Sequence, residues 1–295
     1  MEKRTKPIPL FLNTQAGAFK KTPEIEELTQ LAQTYDIAID VRPTTSIEDL
    51  QQQIQTTIDQ GEARIAVAGG DGTVAAAVQV LAYQNIELGI IPTGTANNFA
   101  TALRLPMDIM SAMQVLKNGI PQKISLGKAN GRYFTEAAGV GIFADALALY
   151  EGEHHKQFFK GLLTLIRIFL NVRGYNLELE IDGQKYNEKS VMCTVANTFR
   201  IGYAFPVAPE AKLTDDQLDI VLVGDLKRSE LLPYFRAMRA QIHPTLPKVT
   251  TQKVKTVTIR ARRKLNVHAD DQIIGTTPIT IETHPGALTV LLDRL

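Results

Sequence analysis

Apolar positions along the chain follow two different rules. Up to about residue 118, short apolar runs alternate with stretches of helical spacing. Pro7 to Asn13 and Arg64 to Ala68 read as buried strands, Ile37 to Val41 as an alternating one, and Leu88 to Ile91 as a fourth strand. Between them, Thr22-Pro23-Glu24 opens a helix with Ile25, Leu28 and Leu31 inward, and Ser46-Ile47-Glu48-Asp49 opens another with Leu50, Ile54 and Ile58 inward. Helices are also predicted over Val74 to Leu81, Asn98 to Leu103 and Asp108 to Asn118, the last closed by Gly119. Strand, loop and helix repeated in this way predict a mainly parallel sheet covered on both faces. Ligands of such sheets bind beyond the C-terminal strand ends, where the loops at Asn13, Asp71 and Asn97 fall.

After Gly119-Ile120-Pro121 the spacing changes to period two. It is seen in Lys123 to Leu126, Arg132 to Glu136, Asn176 to Ile181, Val191 to Ala196, Leu218 to Val223, Lys253 to Arg260, Lys264 to Ala269 and Leu288 to Leu292. Asn130-Gly131, Asp182-Gly183 and Pro285-Gly286 read as turns between several of them. The expectation is an antiparallel sandwich or open barrel, interrupted by helical insertions near Ala144 to Val172 and Ser229 to Gln241. The predicted architecture is therefore an α/β N-terminal nucleotide-binding domain, residues 1–122, and a C-terminal antiparallel β-sandwich domain, residues 123–295. The last few residues are placed back on the first domain.

Composition narrows the function classes. A net charge of +1 gives no broad basic field, so a nucleic-acid partner is not expected. Cys193 is the single cysteine, which excludes an internal disulfide, and its apolar surroundings predict a buried, inert thiol. Met1 to Lys6 lacks the apolar core of a signal peptide, and the apolar run Gly161 to Val172 contains Arg167 and is too short to span a bilayer. A cytoplasmic location is the expectation. Monomer and homodimer both stay open.

The chemistry lies in two glycine-rich loops. Arg64 to Ala68 runs straight into Gly69-Gly70-Asp71-Gly72-Thr73, followed by a helix. Glycines let the backbone approach a phosphate, and the helix supplies amide groups and a positive dipole end. Asp71 is placed to hold Mg²⁺ through water, and Thr73 to donate to a phosphate oxygen. One strand later, Pro92-Thr93-Gly94-Thr95-Ala96-Asn97-Asn98 repeats the logic, Gly94 permitting the turn while Thr95, Asn97 and Asn98 supply neutral polar groups. Either loop alone could be only a tight turn; two on neighbouring strands point to a nucleotide.

These runs, with Gly127 to Phe134, Ala138-Gly139-Val140-Gly141, Pro209 to Asp216 and Asp270 to Pro278, resemble the bacterial diacylglycerol kinase and sphingosine kinase superfamily over nearly the whole chain. The resemblance implies ATP and Mg²⁺, a lipid alcohol as acceptor at a membrane surface, a role in phospholipid biosynthesis, peripheral membrane association and an active cleft between the domains. By it, Asn13 contacts phosphate, Asp270 is the general base and Asp215 holds a structural Mg²⁺, with the carbonyls of Lys212 and Gln217 nearby. Gly69, Gly70, Gly72, Thr73, Gly94, Thr95 and Asn97 complete the expected nucleotide contacts. The chain departs from the family pattern at Asn98, Ser125 and Asp271-Gln272, where acid, acid and Gly-Glu are usual. The loss of two acids is expected to weaken the pull on Mg²⁺, and a non-catalytic homologue is the competing reading.

Other signals are weaker. An NAD kinase would need an Asn-Glu pair, but Asn187-Glu188 follows the Asp182-Gly183 turn. His154-His155 are adjacent on a predicted helix and diverge by about 100°, so a solvated surface fits them better than a metal. His268 reads as a strand histidine close to Asp270; His243 and His284 read as loop residues. Phe158 to Val172 reads as a helix covering the sandwich, with a membrane-contacting role kept for its basic-aromatic start, His155 to Lys160.

Overall fold

The computed structural model describes residues 6–14, 23–151, 172–202 and 205–294. The turn at Gln15 to Gly17, the cap at Thr22, the His154-His155 pair and the basic-aromatic stretch up to Asn171 lie outside the described residues. The chain divides into two compact units. The first runs to Ser125 and takes in Pro285 onward; the second is Leu126–His284. Among the described residues no helix is long and apolar enough to cross a membrane.

The first unit is an α/β layer. Strands β1 (Ile8–Asn13), β2 (Ile39–Thr44), β3 (Arg64–Gly69) and β4 (Glu87–Pro92) alternate with helices α1 (Ile25–Thr34), α2 (Ile47–Asp59) and α3 (Asp71–Leu81). All pair in parallel, in the order β2-β1-β3-β4. Ser46 caps α2 by accepting from the Asp49 amide, as its position predicts. Helix α1 differs: Glu24 is the residue before it, and Ile25 is exposed while Leu28 and Ala32 carry the burial. Helices α4 (Asn98–Ala102) and α5 (Ile109–Asn118) follow, and the Asp108 side chain accepts from the Ser111 amide to start α5. Four fully buried residues in a row in β3, Ile65 to Ala68, match a strand covered on both faces.

The second unit is an antiparallel β-sandwich. Its strands are β5 (Ile120–Ala129, which starts in the first unit), β6 (Arg132–Phe134), β7 (Ala137–Gly141), β8 (Tyr175–Ile181), β9 (Gln184–Ala196), β10 (Arg200–Ile201) and β11 (Phe205–Pro206). They continue with β12 (Leu218–Gly224), β13 (Val249–Val254), β14 (Thr256–Ala261), β15 (Asn266–Ala269), β16 (Gln272–Thr276) and β17 (Ile279–Leu292). Helices α6 (Ile142–Glu151) and α7 (Arg228–Arg239) are the described parts of the two insertions. Strand β9 organises the unit: its exposed first half pairs with β8, and its buried second half pairs with β7 on one edge and β12 on the other. Alternate residues of β8, Leu177, Leu179 and Ile181, enter one core. Val191, Val221, Tyr234 and Met238 form another beneath α7.

Three elements depart from the pattern-based expectation. The run Lys253 to Arg260 is two strands, because its partners change at Lys255: β13 pairs with β12, and β14 with β8 and β17. The Asp182 carboxylate fixes that switch by accepting from the amides of Lys255 and Thr256, at 3.0 and 2.8 Å. Pro285-Gly286 does not end a strand. Strand β17 runs through it, with Gly286 at φ 60°, from a pairing with β14 in the second unit to a parallel pairing with β4 in the first. Strand β7 has glycines at alternate positions and no apolar alternation to reveal it.

Cys193 is fully buried in β9, and burial pushes its thiol up to about 12. The native protein should therefore be inert to a chromogenic disulfide reagent over minutes at pH 8, and one thiol per chain should react after unfolding in urea. Prompt reaction of the native protein would contradict this placement.

Candidate active site

In the first unit, three loops at the C-terminal ends of β1, β3 and β4 are tied together. The Gly70 and Gly94 backbones pass so closely that a Cβ on Gly70 would stand 3.0 Å from the Gly94 Cα. A Cβ on Gly94 would run into the Gly70 Cα and stand 2.7 Å from the Asn97 Oδ1. The Thr93 amide donates to the Gly69 carbonyl at 3.0 Å. The Asn13 amide group donates to the Thr73 hydroxyl at 2.9 Å, bringing the end of β1 to the first turn of α3. The Asp71 carboxylate accepts from the Phe99 amide at 3.1 Å, which fixes the start of α4.

Each side chain therefore has a definite job. Asn97 is buried with φ 51°, and its side chain accepts from the Gly94 amide and donates to the Gly94 carbonyl, both at 3.0 Å. Asn97 thus shapes the second loop from within. Thr95 is exposed, Gly70, Asp71 and Gly72 are half-buried, and Gly69 and Thr73 are buried. The first turn of α3, which holds Asp71 and Gly72, presents amides that a helix leaves without intrahelical acceptors. Thr93, which sequence reasoning passed over, is buried with its hydroxyl lacking a protein hydrogen-bond partner. Its chemical signal, a threonine between proline and glycine, is also that of an ordinary turn.

In the second unit, Asp270 sits in the turn between β15 and β16 at φ 51°. Its Oδ2 accepts from the Thr135 amide at 3.0 Å and the Thr135 hydroxyl at 3.2 Å; its Oδ1 accepts from the Glu136 amide at 2.7 Å and the Ala137 amide at 3.3 Å. Its own amide donates to the Ala137 carbonyl at 2.8 Å. The same segment is held from the end of β9, where Asn197 donates to the Thr135 carbonyl, and by the Gly202 amide, which donates to the Glu136 carboxylate. Burial raises the Asp270 carboxyl, the three main-chain amides pull it back, and the balance leaves it at about 6. A carboxyl raised in the fold contributes stability that is fully present below its ordinary value and lost as pH rises through about 6.

The two halves of the chain match known families. Residues 7–129 match the family described as "Diacylglycerol kinase catalytic domain", and residues 139–292 match "YegS C-terminal NAD kinase beta sandwich-like domain". The chain belongs to the diacylglycerol kinase-like lipid kinase family. A relative named diacylglycerol kinase from Staphylococcus aureus (strain Newman) is 26% identical over 250 residues, covering 82% of this chain and 79% of the relative. The crystal structure of a diacylglycerol kinase from Bacillus anthracis str. Sterne superposes with a TM-score of 0.75 at 22% identity, covering 99% of this chain and 98% of that one. A second structure from the same organism gives 0.79 at 21% identity, covering 99% of each chain. These two establish the fold.

Within that family, the metal positions fit unequally. Asp71 offers one half-buried carboxylate beside a helix N-terminus, a donor set suited to Mg²⁺ that arrives with phosphates and keeps several waters. Asn98 and Ser125, where acids are usual, are both buried and neutral. Asp215 does not fit a divalent cation, because the Lys253 ammonium stands 2.8 Å from its Oδ2. Among the described residues no group of three or more His, Cys, Asp or Glu is arranged to hold a metal.

The three described histidines, His243, His268 and His284, are each held by neighbouring groups. His268 is buried against Phe143, and burial pushes it down to about 4, so it is neutral at pH 7. His243 opens a short 3-10 turn, His243–Thr245, and is fully buried, with Nε2 2.7 Å from the Val207 carbonyl. His284 pairs with Glu282 and packs edge-on against Tyr133. Asn187 and Glu188 are exposed on β9, opposite β8.

The Gly70–Gly94 approach gives a direct expectation. Gly94→Ala should force the two loops apart and lower stability by about 1–3 kcal/mol, as overpacking does elsewhere. Urea unfolding of the variant reads this; an unchanged midpoint would contradict the close approach.

Proposed function

We propose that this protein is an ATP-dependent lipid kinase that transfers the γ-phosphate to a lipid hydroxyl, with diacylglycerol as acceptor and phosphatidic acid as product. The observation that carries the reading is the convergence of the Asn13, Gly69–Thr73 and Pro92–Asn98 loops in the part of the chain that matches the diacylglycerol kinase catalytic domain. Bare glycine backbone and the first turn of α3 suit a polyphosphate. The relatives' names supply the acceptor class.

In this reading Gly70, Gly72 and the exposed Thr95 contact the phosphates, while Asn13 and Thr73 act as a hydrogen-bonded pair at their edge. Gly69, Gly94 and Asn97 hold the loops in shape. Asp71 would hold the Mg²⁺ carried by the nucleotide, which when bound neutralises charge developing on the phosphates. Asp270 takes the acceptor's proton as the lipid oxygen bonds to the γ-phosphorus and the bond to the β-phosphate oxygen breaks, releasing ADP. A carboxyl at about 6 is ionised at pH 7 yet basic enough to accept a proton. To do so it exchanges one of its longer contacts, such as that from the Thr135 hydroxyl, for the acceptor. Membrane-surface action follows from the acceptor's insolubility, and a cytoplasmic, peripheral location is part of the same proposal.

The test is transfer of radiolabel from ATP to diacylglycerol, sphingoid base, ceramide and phosphatidylglycerol in mixed micelles with Mg²⁺. Label on diacylglycerol supports the proposal; label on another lipid moves the acceptor, and nucleotide binding without transfer identifies a non-catalytic homologue. Asp71→Asn should abolish transfer with the fold retained, and unchanged turnover would displace the metal from Asp71.

The pH profile tests Asp270 separately. Transfer should fall about tenfold per unit below pH 6, and Asp270→Asn should lower kcat by roughly a hundredfold or more with little change in ATP affinity. Asparagine also turns an amine toward main-chain donors, so the thermal midpoint of the variant is measured alongside. Full activity in a stable Asp270→Asn variant would exclude it as the base.

A further inference from the structure

Asp215 stands where the resemblance places a structural divalent cation, and its surroundings already contain a cation. Lys253 lies on β13 directly opposite Asp219 of β12. Its ammonium is 2.8 Å from the Asp215 Oδ2 and 2.8 Å from the Asp219 Oδ2, and 3.5 Å from the Glu210 carbonyl. A lysine ammonium has three donors and no acceptor, so these three oxygens use all of them. Asp219 is nearly buried, and both its partner and Asp215 are only partly exposed. The other Asp215 oxygen accepts from the Gln217 amide at 3.3 Å, closing the loop on itself.

We propose that the Lys253 ammonium permanently takes the place of the divalent cation, so that the loop Pro209 to Gln217 is held on β12 and β13 without metal. Oxygen ligands surround Mg²⁺ at about 2.0–2.1 Å and Ca²⁺ at about 2.3–2.6 Å. Neither ion fits between carboxylates whose oxygens converge on an ammonium nitrogen, and the ammonium's charge repels both. The strand register supplies this cation from the chain itself: with Asp219 paired to Lys253, the lysine stem starts beside both carboxylates, and its three oxygen contacts hold the ammonium there. Removal of that charge leaves two carboxylates and a carbonyl, a set of hard oxygens able to take a divalent ion. The proposal does not depend on the kinase reading.

The experiment is the thermal midpoint of the full chain, without nucleotide, in EDTA and in millimolar MgCl₂ or CaCl₂. Wild type, Lys253→Met and Lys253→Arg are each compared with the same protein carrying Asp215→Asn, so that only metal effects that need Asp215 are counted. Wild type and Lys253→Arg should show no Asp215-dependent shift. Lys253→Met should melt about 2–4 °C lower in EDTA and recover in Ca²⁺ or Mg²⁺ only while Asp215 is present. If Lys253→Met does not fold, Lys253→Gln takes its place as the neutral variant. An Asp215-dependent metal shift in wild type would overturn the proposal, because a metal would then displace or accompany the lysine. A neutral variant that gains no Asp215-dependent metal response, whatever its midpoint in EDTA, would overturn it as well.

Discussion

Everything proposed for the first unit depends on one close approach, that of the Gly70 and Gly94 backbones. A Cβ on either residue would intrude on the other's main chain. Because neither side chain exists, the backbones that follow β3 and β4 lie side by side, joined by the bond from the Thr93 amide to the Gly69 carbonyl. The Asn97 side chain, held to Gly94 at both ends, and the Asn13–Thr73 bond then fix the loops around that contact. Much of the glycine pattern therefore serves loop-to-loop packing first. In the proposed function, phosphate would meet the bare surface that the packing leaves.

The first unit was legible because its signals are local. A buried strand, a glycine loop and a helix follow one another within about fifteen residues, and the Ser46 and Asp108 caps sit where their residue types predict. The second unit was less so. The division of Lys253 to Arg260 into two strands is decided by Asp182, more than seventy residues away. The glycines of β7 carry no alternation, and β17 passes through a Pro-Gly pair that reads as a turn. Such features are set by strand partners that no local window contains.

The same distance separates the aspartates from their roles. Asp270 was visible as a motif residue, yet its clamp on Thr135 to Ala137 joins groups 133 to 135 positions apart. Sequence alone gave no sign that the candidate base is also the residue that secures the approach to β7. Asp215 was visible as an acid in a motif, but Lys253 lies 38 positions away and becomes its partner only through the β12–β13 register. Both cases show a carboxylate whose chemistry is decided by what the sheet brings opposite it.

The central claim is that the three loops of the first unit bind a nucleotide polyphosphate. Its most direct measurement is amide hydrogen exchange of the full chain with and without Mg-ATP. The account predicts added protection in peptides covering residues 69–74 and 93–99, with a smaller effect at residues 10–14. Unchanged exchange in those peptides at saturating Mg-ATP, or protection confined to other parts of the chain, would contradict it.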